Sequence, residues 1–182
     1  MALRRAADSY LETLAKDAAT GDSQAFKEIY DVISGKMYSL CLRYAGNRED
    51  ANDCFQEGFV KLYRNLPAFR GEGSFEGWSR QVFVSSCIDA LNKKKLELDT
   101  LTGGEDMAGD DLSGYDRLTN EDLIKVIRQL PDNYRTVVNL FMVEGYNHIE
   151  IGKVLGISEE GSRSLLFRAR NLLQKMLTKA DE

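Results

Sequence analysis

Arg163, Ser164, Phe167 and Arg168 recur at spacings of three and four within YNHIEIGKVLGISEEGSRSLLFRARNLL, residues 146–173. Side chains at those spacings share one face of an α-helix. Glu160 joins that face one turn earlier, and Ser162, Leu166, Ala169 and Leu173 line the opposite one. Arginine carries a planar fork of donors that suits guanine edges and phosphates. The chemistry on offer is recognition of duplex DNA rather than bond breaking. No nucleophile with a neighbouring base, no carboxylate pair set for catalysis and no phosphate-cradling glycine loop is evident. A polar helix face with a purely structural role is the competing reading.

Such a face needs an element to present it. Asn147 can cap a first helix whose apolar residues Ile149, Ile151, Val154 and Leu155 fall on helical spacing, and Gly156 can end it in a left-handed turn. Ser158 then caps a second helix, with Glu159 and Glu160 suiting its positive end. This is a helix-turn-helix, whose second helix can enter the major groove. His148 stands at the start of the first helix, where capping, a phosphate contact and plain surface exposure all stay open.

Two further polar faces lie in the N-terminal half, which reads as four helices. The first runs from Ser9 to about Ala19. Asp22 caps a second that carries Phe26, Ile29, Tyr30, Ile33, Met37, Leu40 and Cys41. Asn47 caps a third over Arg48 to Leu66, stopped by Pro67, and Ser74 caps a fourth running to the lysines at 93–95. On the third helix Asp50, Asp53, Gln56 and Glu57 flank an apolar stripe of Phe55, Phe59, Leu62, Tyr63 and Leu66. That acidic patch is either a solvated face or a docking surface for a basic partner helix. Before the fourth helix stands FRGEGSF, residues 69–75, followed by Trp78, Arg80, Ser85, Asp89 and Lys93. A glycine-bearing loop with Arg70, Gly71 and Ser74 among aromatics can hold an unstacked base, each base stack contributing about 1–3 kcal/mol. Phe75 is assigned to the core; Trp78 suits core or stacking platform equally.

Composition sets the frame. With 182 residues, 43% of them apolar, and two prolines, the chain reads as all-α: two small helical domains, 1–95 and 117–182, joined by a flexible acidic linker over 96–116. That linker, LELDTLTGGEDMAGDDLSGYD, holds seven acids, four glycines and no Lys or Arg. The formal charge of −5 becomes +2 once those seven are set aside. So modest a value implies weak unaided DNA binding and a larger partner that holds the protein on its site. The 21-residue linker would span roughly 25 Å on average and about 70 Å when stretched. Beyond it, Glu121 to Leu130 reads as a helix, Pro131 opens the next and Gly145 closes that one. No apolar run suits a bilayer and no signal-peptide pattern appears, so a cytoplasmic place is expected. The widely separated Cys41, Cys54 and Cys87 and the single histidine lack metal-ligand spacing, so no metal or cofactor is expected. Buried thiols fit the helical patterns around these cysteines; redox sensing is the other option.

DANDCFQEGFVKLYRNLPAFRGEGSFEGWSRQVFVSSCIDALNKKK, residues 50–95, resembles region two of bacterial sigma factors of the extracytoplasmic-function group. LPDNYRTVVNLFMVEGYNHIEIGKVLGISEEGSRSLLFRARNLLQKML, residues 130–177, resembles region four. Order, spacing and acidic linker agree as well. The resemblance implies a non-enzymatic subunit that joins core RNA polymerase, directs promoter-specific initiation, and recognises and melts promoter DNA. It implies that Asp50, Asp53, Gln56 and Glu57 follow the family's DxxDxxQExF pattern and dock on a polymerase coiled coil. Arg70, Gly71 and Ser74 would lie in the loop that captures a flipped base of the minus-ten element on the melted non-template strand. Trp78, Arg80, Ser85, Asp89 and Lys93 would contact or support that element. Ser158, Glu160, Arg163, Ser164, Phe167 and Arg168 would read the minus-thirty-five element. The linker would thread the RNA exit path, its acids mimicking nucleic acid. An anti-sigma factor is a further expected partner, and no small-molecule substrate is.

Four positions depart from the family pattern. Ser85 replaces the usual asparagine, Gly161 and Ser162 replace a Thr-Val pair, and Gly152 stands where alanine is usual. Glycine inside a helix costs about 1 kcal/mol relative to alanine, so altered promoter preference is expected, with the fold intact. The alternative to a sigma factor is a stand-alone helix-turn-helix regulator. It would need a dimer surface, and no coiled-coil heptads are present.

Overall fold

The computed structural model describes the backbone of residues 2–102 and 125–178, with side chains over 8–94 and 125–177. Among the described residues every regular element is helical: α1 (Ala2–Ala19), α2 (Ser23–Tyr44), α3 (Arg48–Asn65), α4 (Phe75–Thr102), α5 (Asp132–Val138), α6 (His148–Leu155) and α7 (Glu159–Thr178). A 3₁₀ turn, Leu66–Ala68, follows α3, and a π-helical turn, Asn139–Val143, extends α5. The chain divides into two compact units, one from Met1–Leu42 and Asn47–Ala90, the other from Arg43–Gly46 and Leu91–Glu182.

In the first unit, short polar side chains mark the helix starts. Asp22 Oδ1 accepts from the Gln24 and Ala25 amides at 2.9 and 3.1 Å ahead of α2. Asn47 Oδ1 takes the Asp50 amide at 2.8 Å, and Ser74 Oγ takes the Gly77 amide at 3.1 Å. Each bond satisfies an amide that the first helical turn cannot. The core gathers Ile29, Ile33, Met37 and Leu40 from α2, Phe59 and Leu62 from α3, and Phe75, Phe83 and Ile88 from α4. Cys41, Cys54 and Cys87 are buried there as free thiols, as the sequence led us to expect. Phe55, Phe59 and Phe83 interlock, with Phe59 edge-on to each neighbour at 5.0 Å between ring centroids. Gly58 lets α3 approach α4, since a Cβ there would fall 2.5 Å from the Phe83 ring.

The second unit is organised around Val137, Val138, Leu140, Ile151, Leu166, Ala169 and Leu173. Arg135, buried there, donates to the carbonyls of Tyr44, Arg128 and Leu130 at 2.8, 2.8 and 2.9 Å, and to the Asp132 carboxylate. A charge taken out of water needs that many partners.

Several boundaries differ from the sequence expectations. α1 begins at Ala2, not Ser9, because ALRRAA is rich in strong helix formers. α3 stops at Asn65, one residue short, where Pro67 forces the 3₁₀ turn. α4 continues to Thr102, so residues 96–102 are helical where a structureless linker was expected. Leucines and acids there favour helix, and no breaker precedes Gly103. The rest of the expected linker, 103–116, lies outside the described residues, as do 121–124 of the expected helix before Pro131; residues 125–128 are helical.

Candidate nucleic-acid interface

Local capping builds the helix-turn-helix. The Asn147 side chain accepts the Glu150 amide at 3.0 Å while Glu150 Oε2 accepts the Asn147 amide at 2.8 Å, a reciprocal capping box. Burial, together with Glu144 and Glu150, holds the neighbouring Tyr146 phenol above its usual range, so it stays neutral at physiological pH. Gly156, at φ +67°, ends α6 in the left-handed conformation that glycine adopts without strain. Ser158 Oγ accepts the Gly161 amide at 3.0 Å and starts α7.

α7 then sorts its residues as the spacing predicts. Ser162, Leu166, Ala169 and Leu173 are buried, while Ser158, Glu160, Arg163, Ser164, Phe167 and Arg168 are exposed. Phe167 is 66% exposed, a bare ring within a polar face. Arg163 is held by Glu159 at 2.5 Å, a solvent-exposed pair one turn apart.

α6 behaves differently from expectation. Only Ile151 of its four apolar residues is fully buried; Leu155 is half-buried, and Ile149 and Val154 are exposed at 55% and 38%. A helix of eight residues packs along one edge, here through Ile151 and Gly152. Gly152 has a role that sequence reasoning missed. A Cβ there would fall 2.7 Å from the Ile157 carbonyl oxygen, so the turn closes directly on the helix backbone.

His148 is neither a cap nor a plain surface residue. Its Nδ1 lies 3.0 Å from Ser162 Oγ, and its ring stacks on Phe141 at 4.8 Å with planes 24° apart. The Arg170 guanidinium sits 5.5 Å from the centre of the same Phe141 ring. The hydroxyl that Ser162 brings to an apolar face thus has a partner, and α6 is tied to α7. The sequence holds both partners, a single histidine and a hydroxyl 14 residues later on the apolar face of α7, but not their pairing.

In the first unit, Asp53, Gln56 and Glu57 are exposed on α3. Asp50 is half-buried and also takes part in the cap, its Oδ2 accepting from Asn47 Nδ2 at 3.0 Å. Arg70, Gly71 and Ser74 are exposed in the loop before α4, where Gly71 and Gly73 have φ of +73° and +89°. Phe75 is fully buried, as assigned. Trp78 is half-buried, its ring 5.2 Å from Phe69 and 5.7 Å from Phe75. Trp78, Ser85 and Asp89 share one face of α4, with Lys93 at its edge. Arg80, two residues past Trp78, falls on the far side of that helix and is half-buried. Asp89 is paired with Lys61 at 2.8 Å. Among the described residues no group of His, Cys, Asp and Glu could hold a metal ion, and no helix is long and apolar enough to cross a membrane.

A helical unit with an acidic outer face, followed by a unit that ends in a helix-turn-helix, defines a two-part transcription protein. Residues 29–97 match the family model for Sigma-70 region 2, and residues 120–173 match that for Sigma-70, region 4. The chain is 32% identical over 175 residues to the ECF RNA polymerase sigma factor SigW of Bacillus subtilis, covering 89% of this chain and 94% of that protein. In fold it is similar to the sigma factor RpoE of Bartonella quintana, solved in complex with the anti-sigma factor NepR: TM-score 0.55, 18% identity, 84% of this chain and 96% of that one. It is similar also to CnrH, solved with the cytosolic domain of CnrY: TM-score 0.52, 20% identity, 93% and 97%. The chain belongs to the ECF RNA polymerase sigma factors. It binds core RNA polymerase and promoter DNA and directs transcription initiation, which sets aside the stand-alone regulator. Sigma factors are not enzymes in the catalytic sense.

Proposed function

We propose a division of labour among the exposed faces. α3 docks on core polymerase through Asp50, Asp53, Gln56 and Glu57, which present acids and an amide to a basic helix pair. The loop with Arg70, Gly71 and Ser74, followed by Trp78, Arg80, Ser85, Asp89 and Lys93, handles the minus-ten element as it melts. Phe69 and Phe75 back the Trp78 ring, which favours a rigid wedge or stacking surface. α7 reads the minus-thirty-five element in the major groove through Ser158, Glu160, Arg163, Ser164, Phe167 and Arg168. The observation that carries the scheme is the sorting on α7 and its cap, where all six reading candidates face solvent and Ser162, Leu166, Ala169 and Leu173 are buried.

The two DNA-binding parts correspond to 1–95 and 117–182, with the tether between them starting beyond the end of α4 at Thr102. The protein works in the cytoplasm, where polymerase and chromosome are, and it catalyses no reaction of its own. An anti-sigma factor is a partner that can hold it from the polymerase. Asp53→Lys tests the docking assignment, because Asp53 is exposed and makes no bond that the fold needs. Core-polymerase affinity should fall at least about tenfold, or 1.4 kcal/mol, with the unfolding midpoint unchanged. Unaltered affinity would refute the assignment.

A further inference from the structure

Arg170 is exposed on α7 and lies outside the six reading candidates. Its guanidinium sits 5.5 Å from the centre of the Phe141 ring, within the range of a cation–π contact. Among the described residues no carboxylate pairs with it, whereas Arg163 is held by Glu159. Contact with a ring face uses none of the N–H donors of the guanidinium. They stay available to an oxyanion, for which the planar fork is suited.

The ring beneath it is anchored in turn. Phe141 stacks on His148 at 4.8 Å, and His148 Nδ1 lies 3.0 Å from the Oγ of Ser162, which is buried on α7 itself. The links run from residue 162 of α7 through the first residue of α6 and the π-helical turn, and return to residue 170 of the same helix. Each member restrains the next, so Arg170 has less freedom to lose on meeting a ligand than an arginine in open solvent.

Its place on the helix points to the ligand. Arg170 follows Arg163 by seven residues, two turns less about 20°, and so continues the same stripe. That interval carries it about 10 Å along the helix axis, comparable with a major groove about 12 Å wide. A recognition helix turns its N-terminal residues to base edges, so a stripe that begins on bases at Arg163 reaches the phosphate wall of the groove at Arg170. We infer that Arg170 binds one backbone phosphate of the promoter duplex beside the minus-thirty-five element, with Phe141 and His148 as positioning residues that hold its guanidinium in place. Such a contact fixes the register of α7 and carries no sequence information of its own. The inference rests on the assignment of α7 to that element.

The test measures the affinity of holoenzyme, assembled from core polymerase and the full chain, for promoter duplex across a salt series. Arg170→Gln should weaken binding by the same factor on every minus-thirty-five variant and flatten the plot of log affinity against log salt by about 0.9. Its deficit should therefore shrink about threefold between about 50 and 200 mM salt. Neutral methylphosphonates placed one at a time beside the element should reveal a linkage whose neutralisation weakens the wild type and leaves Arg170→Gln unaffected. Phe141→Leu keeps the charge and should weaken binding about threefold with the salt slope retained, and Phe141→Tyr, which restores a ring, should recover it. Circular dichroism checks each fold; should Phe141→Leu unfold, Arg170→Gln and the linkage map decide. An unchanged slope in Arg170→Gln, a loss confined to one base pair, or no linkage that the variant ignores would overturn the inference. A normal Arg163→Ala effect beside a silent Arg170→Gln sinks this inference alone, whereas wild-type binding by Arg163→Ala as well removes the assignment of α7 on which it rests.

Discussion

Ser162 puts a hydroxyl into the buried side of α7, and His148 answers it from the start of α6 at 3.0 Å. Removing either partner should expose the value of that bond. Ser162→Val or His148→Ala alone should cost about 1–2 kcal/mol. The double variant should cost less than their sum by about 1 kcal/mol, because the second change finds the bond already gone. Urea unfolding of the four proteins checks this, and additivity within about 0.3 kcal/mol would contradict it. Sequence could not reveal the pairing, since it joins positions that only the packed turn brings together. Arg163 poses a different question. Its ion pair with Glu159 orients the guanidinium on the exposed face but is worth little by itself, being open to solvent. Arg163→Ala should leave stability within about 0.5 kcal/mol. It should weaken minus-thirty-five binding by about 1–3 kcal/mol, with relaxed discrimination at one base pair. A uniform loss across all promoter variants would reassign Arg163 from base edge to phosphate.

At the scale of elements, packing rather than polarity fixes the geometry. The α3–α4 contact depends on Gly58, and Gly58→Ala must displace the Phe83 ring or part the helices. We expect a loss of about 1–3 kcal/mol in the chemical unfolding of the first unit, partly relieved by Phe83→Leu. An unchanged midpoint would mean that the ring moves freely. Capped helix starts were the most legible feature, because Asn47, Ser74, Asn147 and Ser158 each bond an amide within three residues, whereas the uncapped start of α1 was missed. The end of α4 was not, since acids and leucines that favour helix also make up an acidic linker. The exposed side of α6 was hidden for a related reason: periodicity shows which residues share a face, not how much of that face a short helix buries.

At the scale of the molecule, the charge pattern links architecture to function. Seven acids between residues 96 and 116 account for more than the whole net charge of −5. The remaining +2 is too weak to hold promoter DNA unaided at physiological salt, so the chain alone should give no mobility shift on a promoter fragment that it binds within the polymerase. Deleting residues 103–112 should lower initiation while leaving the unfolding of both units unchanged; undiminished transcript yield would make that stretch a passive spacer. Membership of the family was legible from two motif blocks in the right order. The contact between the Cys41 and Cys87 sulfurs, 3.9 Å apart, was not, because the two become neighbours only when α2 and α4 pack. The most direct measurement is run-off transcription from a genomic promoter library with purified core polymerase and this protein. Transcripts should start from a restricted set of promoters sharing minus-ten and minus-thirty-five elements, and Asp53→Lys should abolish them. No selective transcript, or the same transcripts from core polymerase alone, would contradict the account.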